Sequence, residues 1–378
     1  MFMGISNTTE LQELLRTQRS VVFLALCGVV LCVDLLARLA GIEIGLTANY
    51  SFGGTLSFSR FGGLVWNGIV IGLIIGLAGI GLSMTYSILS FANFSHGDYL
   101  TTGAFGGWAA TYVVAAFGTV EFGNLVLVRA SGGASPADIG ASIVQTPLAI
   151  VVGIVFAAGL TILLALVIDR LVYKPMRDRG AIALLIASIG VALSLRYIIQ
   201  FVFGARNRGV TDTTGVRTEL LGVSVNLHEL TLVLVAVALM IAMHLMLQRT
   251  KLGKAMRAMA DNKDLALVTG IPTERVVRAT WVIGGGLAGV AGYFVVLDRG
   301  VIDFNLGWFL LLLIFAAVIL GGIGSIYGAI AGGLVIGLTY NLALIWIPSD
   351  FNEAAAFALM ILVLLYKPDG IFKGVTTA

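Results

Sequence analysis

The sequence predicts an all-α membrane protein that crosses the bilayer several times. Of its 378 residues, 58% are hydrophobic and only 11% are charged, whereas soluble domains carry about 25% charged residues. The mean hydropathy is +1.01, and long apolar runs recur along the chain. So little polar surface excludes a water-soluble enzyme, a disordered chain, a coiled coil and a disulfide scaffold.

Apolar runs of about 20 residues can cross the hydrocarbon core as helices. We place candidate spans near residues 20–40, 64–90, 99–118, 147–169, 181–203, 227–248, 276–297, 308–347 and 349–366. The 308–347 run is too long for one crossing, and glycines interrupt it near residue 322. The sequence therefore predicts about eight full transmembrane helices plus a broken or paired Gly-rich helical element.

Residues 1–63 are predicted to form a cytoplasmic tail, an extra transmembrane helix and an external loop. Asp34 and Arg38 of this helix are spaced to pair on one face. The main membrane domain follows over residues 64–373. Most Lys and Arg residues occupy alternate connecting segments, near 16–19, 170–179, 249–278 and 367–373. The positive-inside rule places these segments, and with them both termini, in the cytoplasm.

A polar segment without Lys or Arg connects the second and third spans, and it contains Asn93, Ser95, His96, Gly97 and Asp98. Polar groups at membrane depth are costly unless they are paired or face water. One interpretation is that Asn93 and His96 cap helices and satisfy free backbone groups. A second places the segment on or beside a translocation path, and a third is a proton relay through His96 and Asp98.

A second set of translocation-path candidates interrupts the 308–347 run: Gly321, Gly322, Gly324 and Ser325. We expect this break to lie at mid-membrane depth, where broken helices often line a substrate path. Elsewhere, glycines four residues apart, such as Gly68 and Gly72, predict close helix contacts.

Arg196 lies inside the fifth candidate span. An arginine at mid-membrane costs at least ~3 kcal/mol unless it snorkels or pairs. We expect its side chain to snorkel to the outer face rather than to bind a carboxylate.

Signatures of an enzyme are absent from the sequence. No G-x-x-x-x-G-K-[ST] loop occurs, so the chain has no P-loop for ATP. Three scattered histidines and the absence of Cys-x-x-Cys predict no metal site, and the basic residues form no patch for nucleic acid. We therefore predict no catalytic residues in this chain.

Several motifs together resemble the permease family of branched-chain amino-acid ABC importers, in particular its H-type subunit. Ser90-Phe91-Ala92-Asn93-Phe94-Ser95-His96-Gly97-Asp98 is similar to that family's I-N-F-A-H-G-E motif. The other matching motifs are Val172-Tyr173-Lys174-Pro175-Met176-Arg177, Leu252-Gly253-Lys254-Ala255-Met256-Arg257-Ala258 and Leu320-Gly321-Gly322-Ile323-Gly324-Ser325. The resemblance covers about residues 64–373, which would form the ABC importer permease domain.

The resemblance implies a permease subunit that imports branched-chain or other apolar amino acids through the plasma membrane. Its partners would be a second (M-type) permease subunit, two ABC ATPase subunits and an external solute-binding protein. ATP and Mg would be bound by those ATPases, with no cofactor in this chain. The cytoplasmic segment 249–275 would be the ATPase-coupling loop, and the residues that match its pattern are Arg257, Ala258, Asp261, Asp264, Gly270 and Ile271.

Two other functions stay open at this point. Permeases for urea or short amides carry nearly the same motifs. A self-sufficient proton-coupled carrier would use His96 and Asp98, and it would need no ATPase.

Overall fold

The computed structural model describes residues 26–47, 50–115, 146–205, 207–209, 217–220 and 222–372. The chain divides into two compact units, Met1–Gly63 with Leu221–Val223 and Leu64–Leu220 with Ser224–Ala378. The predicted cytoplasmic tail and both termini lie outside the described residues.

The first unit contains a helix, α1 (26–39), followed by the antiparallel strands β1 (Glu43–Thr47) and β2 (Tyr50–Gly53). Arg38 pairs with Asp34 at 2.6 Å, which confirms the predicted i,i+4 contact. The other Asp34 oxygen accepts a hydrogen bond from the Gly53 amide at 2.6 Å. One carboxylate thus joins the helix to the end of the hairpin.

The second unit is a helical bundle that confirms the predicted all-α polytopic class. Among the described residues, seven helices are long and apolar enough to cross a membrane, and Leu306–Gly321 is a shorter apolar helix. The elements are α2 (Phe58–Leu89), α3 (His96–Ala115), α4 (Pro147–Ile168), α5 (Ala181–Phe203), α6 (Leu227–Arg249), α7 (Lys251–Asp261), α8 (Lys263–Val268), α9 (Thr273–Arg299), α10 (Leu306–Gly321), α11 (Ile326–Leu342) and α12 (Asn352–Tyr366).

Short elements connect these helices. A π-helical turn (Asp169–Tyr173), one α-helical turn (Lys174–Met176) and a 3-10 turn (Arg177–Arg179) join α4 to α5. Two small antiparallel pairs lie near the opposite helix ends: β3 (Arg208–Gly209) with β6 (Val301–Ile302), and β4 (Arg217–Leu220) with β5 (Val223–Asn226).

Helices α2 and α9 form the core of the bundle and are buried on almost all sides. Helices α4, α6 and α12 lie at the periphery, where apolar side chains such as Leu163, Leu234 and Leu365 are exposed. Outward-facing apolar side chains suit a hydrocarbon environment.

Glycines allow the core helices to touch through their backbones, as their spacing predicts. A Cβ built on Gly72 would lie 2.9 Å from the Leu334 Cα of α11, and one on Gly103 would overlap Gly289 of α9. Such close approach is how helices associate in lipid, where no hydrophobic force drives them together.

The Gly-rich 308–347 run is two helices, α10 and α11, separated by a break at 322–325. The Ser325 hydroxyl caps α11 by accepting a hydrogen bond from the Gly328 amide at 3.0 Å.

The expectation that this break lies at mid-membrane depth is wrong. Ser87, near the end of α2, donates to the Gly324 carbonyl at 3.0 Å, and the Phe372 amide donates to the Gly321 carbonyl at 3.0 Å. The break therefore lies at the end of the bundle where α2 and α12 also end. Sequence alone cannot reveal these contacts, because Phe372 is far from the break along the chain.

Candidate functional site

The polar segment between α2 and α3 turns back into the bundle. After α2 ends at Leu89, the His96 ring Nε2 donates to the Ala78 carbonyl at 2.9 Å. Ala78 lies eleven residues before Leu89, which corresponds to about 16 Å along the helix. Helix α3 therefore begins deep inside the protein rather than at its surface, and His96 fixes the depth of that start.

A local hydrogen-bond network holds this segment in place. The Asn93 Oδ1 accepts from the Ser95 amide at 3.1 Å and from the Ser95 hydroxyl at 2.7 Å. The Phe94 amide donates to the Ser188 hydroxyl of α5 at 3.0 Å. Asn93 and Ser95 are buried, so these bonds replace the water that the Asn93 Oδ1 and the Ser95 hydroxyl would otherwise contact.

Helices α3 and α10 both begin at one point, where Gly97 faces Gly307. A Cβ on Gly97 would lie 2.6 Å from the Gly307 carbonyl oxygen, and the Gly307 amide donates to the Thr101 hydroxyl at 3.0 Å. Only two glycines permit this backbone contact, so two helix N-termini meet beside the buried polar segment.

Arg196 is buried and binds a carboxylate, so the expectation that it snorkels is wrong. Its Nε and Nη2 donate to the two oxygens of Asp98 at 3.3 and 3.1 Å, and its guanidinium lies 4.6 Å from the centre of the Trp308 ring. A planar guanidinium suits both a bidentate carboxylate and an aromatic face. This ion pair links α5 to α3, and the contact between Arg196 and Trp308 links α5 to α10.

These bonds limit what the site can do chemically. His96 is hydrogen-bonded to Ala78 and Asp98 to Arg196, so no described bond joins the two as a proton relay would require. What the segment offers instead is a cluster of hydroxyl and amide groups at a buried helix N-terminus, which can meet the polar groups of a small ligand.

The predicted coupling loop forms two short helices, α7 and α8, between α6 and α9. Thr250 caps α7 through the Gly253 amide, and Asn262 caps α8 through the Leu265 amide. Met256 and Met259 of α7 face the core, while three apolar side chains of α8 are exposed: Leu265, Leu267 and Val268. Large apolar side chains presented together on a short helix are typical of a docking surface.

The residues predicted for coupling lie on α7, on α8 and in the turn that follows α8. Arg257, Ala258 and Ile271 are half-buried, whereas Asp261, Asp264 and Gly270 are exposed. The Arg257 Nη1 donates to the Gln248 Oε1 at 3.1 Å.

The hydrogen bonds that begin at Arg257 continue to α11. Gln248 donates to the Tyr327 hydroxyl at 3.3 Å, and Tyr327 bonds the His244 Nδ1 at 2.6 Å. Gly324 and Ser325 line a small cavity together with Arg257. The second set of candidates thus lies beside the coupling segment.

A polar cavity of about 410 Å³ lies at the opposite end of the bundle, and the sequence reasoning missed it. Charged lining residues come from three helix ends, namely Glu229, Asp298, Arg299 and Glu353, and apolar ones from Ile71 and Leu310. The Trp66 Nε1 donates to Glu229 at 2.6 Å. The sequence signal was charged residues near the ends of spans, among them the pair Asp298-Arg299.

No group of three or more His, Cys, Asp or Glu side chains that could hold a metal ion occurs within the described ranges.

Comparison with known proteins gives a consistent picture. A family model described as branched-chain amino acid transport system / permease component matches residues 64–364. The chain is 30% identical over 312 residues to the high-affinity branched-chain amino acid transport system permease protein LivH of Salmonella typhimurium (strain LT2), covering 81% of this chain and 94% of that protein.

Two further relatives are also named as branched-chain amino acid permeases. The chain is 28% identical over 310 residues to the corresponding permease BraD of Pseudomonas aeruginosa, covering 81% and 93% of the two chains. It is 28% identical over 328 residues to the probable branched-chain amino acid transport permease LivH of Methanocaldococcus jannaschii, covering 82% and 90%. No solved structure gives a significant match.

Proposed function

The chain belongs to the family of branched-chain amino acid transport system permease components, and from this premise we propose that it is the permease subunit of an ATP-driven importer of branched-chain or other apolar amino acids. The observation that carries the proposal is the buried helix start at Asn93–Asp98. A polar segment held inside an apolar bundle is expected where a small polar ligand must cross.

The polar cavity at the end of the bundle opposite the coupling segment is compatible with the same substrate. An amino acid carries an ammonium and a carboxylate, and the cavity presents carboxylates such as Asp298 together with the Arg299 guanidinium. Ile71 and Leu310 add apolar lining for the side chain. We place the entry of the path here and its interior at the Asn93–Asp98 segment.

The proposed importer contains further subunits besides this chain. A second (M-type) permease subunit would complete the path, and an external solute-binding protein would deliver the ligand. One of the two ATPase subunits would dock on α7 and α8, where Leu265, Leu267 and Val268 are exposed. The ATPases would bind ATP and Mg, leaving this chain without a cofactor. ATP-driven closure of the ATPases would move α7 and α8 and switch the path between its two openings.

The proposed location is the plasma membrane. Three basic segments share one end of the bundle. Arg177 pairs with Glu274, Arg257 lines one cavity with Gly324, and Phe372 contacts the end of α10 beside Gly324. The positive-inside rule assigns that end to the cytoplasm, and both termini would lie on that side.

Pull-down of the tagged chain from mild detergent tests this assembly. We expect two P-loop ATPases and a second permease to co-purify. A Val268→Asp variant should lose the ATPase that docks on this chain but retain the second permease, because Val268 is 84% exposed on α8. Phe351→Asp, exposed at the other end of the bundle, is the matched control. A chain that purifies alone and transports without ATP would contradict the proposal.

Arg257→Glu is expected to uncouple transport without preventing membrane insertion. The reversed charge removes the donor to Gln248 and so separates α7 from the Gln248–Tyr327 chain. We expect uptake to fall at least about ten-fold at equal expression, the equivalent of one charged hydrogen bond. Arg179→Glu, an exposed charge reversal at the same end, should leave uptake unchanged. Equal uptake by both variants would remove Arg257 from the coupling machinery.

A further inference from the structure

The π-helical turn Asp169–Tyr173 lies between the buried polar segment and the ion pairs at the coupling end of the bundle. π-Helical turns are rare and are found frequently at functional sites. Here the turn follows α4 directly and carries polar side chains at its first and last residues, Asp169 and Tyr173, both of which are buried. Each of these two residues contacts a different part of the protein.

Tyr173 contacts the candidate path. Its hydroxyl bonds the Ser95 hydroxyl at 2.8 Å and donates to the Asn93 Oδ1 at 3.3 Å. Its ring stacks on Trp281 of α9, with 5.2 Å between ring centres and 5° between planes. The ring is thus fixed by α9 while the hydroxyl holds the segment that precedes α3.

Asp169 contacts the coupling end. Arg177 donates through Nη2 to both Asp169 oxygens at 2.7 and 2.8 Å, and through Nη1 to Glu274 at 2.7 Å. Lys174 pairs with Glu274 at 3.1 Å. Glu274 is the second residue of α9 and follows α8 by only a few residues. A displacement of the coupling segment therefore reaches this ion-pair network through Glu274.

We propose that the Asp169–Tyr173 turn transmits movement of the coupling segment to the Asn93–Asp98 segment, with Tyr173 as the positioning residue. When Glu274 shifts, Arg177 and Asp169 follow it, and Tyr173 must move with the same turn. Ser95 and Asn93 then either follow the hydroxyl or lose their bonds to it. This inference rests on the proposed function, because it assigns a route to the ATP-driven switch.

The test uses the assembled importer in proteoliposomes and measures amino acid taken up per ATP hydrolysed. Tyr173→Phe keeps the stacked ring and removes only the hydroxyl. We expect uptake per ATP to fall about ten-fold, the equivalent of one buried hydrogen bond, with unchanged basal ATP hydrolysis and melting temperature. Tyr366→Phe is the matched control, because the buried Tyr366 hydroxyl has no hydrogen-bond partner within the described part of the chain.

A double-variant cycle separates transmission from local packing. Glu274→Gln alters the half-exposed end of the network, and folding does not depend on so exposed a group. If the turn transmits, the double variant Tyr173→Phe/Glu274→Gln should lose no more coupling than either single variant. If the two single losses of uptake per ATP multiply in the double variant, the inference is overturned. A Tyr173→Phe importer that behaves like Tyr366→Phe would overturn it as well. A wild-type importer without ATP-dependent uptake would instead refute the proposed function.

Discussion

Replacing Asp98 by Asn is expected to destabilise the protein by about 3–5 kcal/mol, because the buried Arg196 guanidinium then loses its counter-charge. Arg196 is only 9% exposed and Asp98 is fully buried. The other described partner of Arg196, the Trp308 ring, cannot replace a carboxylate. Thermal unfolding of the purified chain in detergent measures the effect, and uptake should fall with it because Asp98 lies in the first turn of α3.

Two further variants identify charge pairing as the cause. Asp178→Asn neutralises an exposed carboxylate and should change stability by less than about 0.5 kcal/mol. The double variant Asp98→Asn/Arg196→Gln removes both buried charges and should recover most of the loss. If Asp98→Asn unfolds at the same temperature as Asp178→Asn, the buried pair does not stabilise this protein.

Replacing Gly97 by Ala is expected to cost about 1–3 kcal/mol through overpacking and to impair transport. The new methyl group would lie 2.6 Å from the Gly307 carbonyl and 3.0 Å from the Leu311 Cβ. A backbone carbonyl cannot rotate away, so the starts of α3 and α10 must separate. The same thermal unfolding and uptake measurements report both effects.

Gly190→Ala is the matched control for this glycine. Gly190 lies inside α5, and a Cβ there would meet nothing within 4 Å. Alanine is favoured over glycine in a helix by up to about 1 kcal/mol, so this variant should be neutral or slightly stabilising. A Gly97→Ala protein as stable and active as Gly190→Ala would show that the helix crossing tolerates separation.

The membrane helices could be predicted from sequence because the bilayer imposes a length on each apolar run. The Asn93–Asp98 segment could also be singled out, since polar groups at membrane depth must be paired or face water. The Gly72 contact followed from spacing, because small residues four apart lie on one helix face.

The remaining features depend on residues far apart in the chain. An arginine inside a span signals a cost, but nothing local to Arg196 identifies Asp98, 98 positions earlier, as its partner. The depth of the 322–325 break depends on Phe372. Tyr173 belonged to a recognised motif, yet its bond to Ser95 becomes visible only once α4 is placed beside α3.

The most direct test of the central claim is uptake of radiolabelled leucine by proteoliposomes that contain the co-purified complex. With the ATPase side facing the lumen, we expect uptake to require ATP inside the vesicles and to persist in the presence of a protonophore. Uptake by this chain alone, without ATP and abolished by a protonophore, would contradict the account and identify a proton-coupled carrier instead.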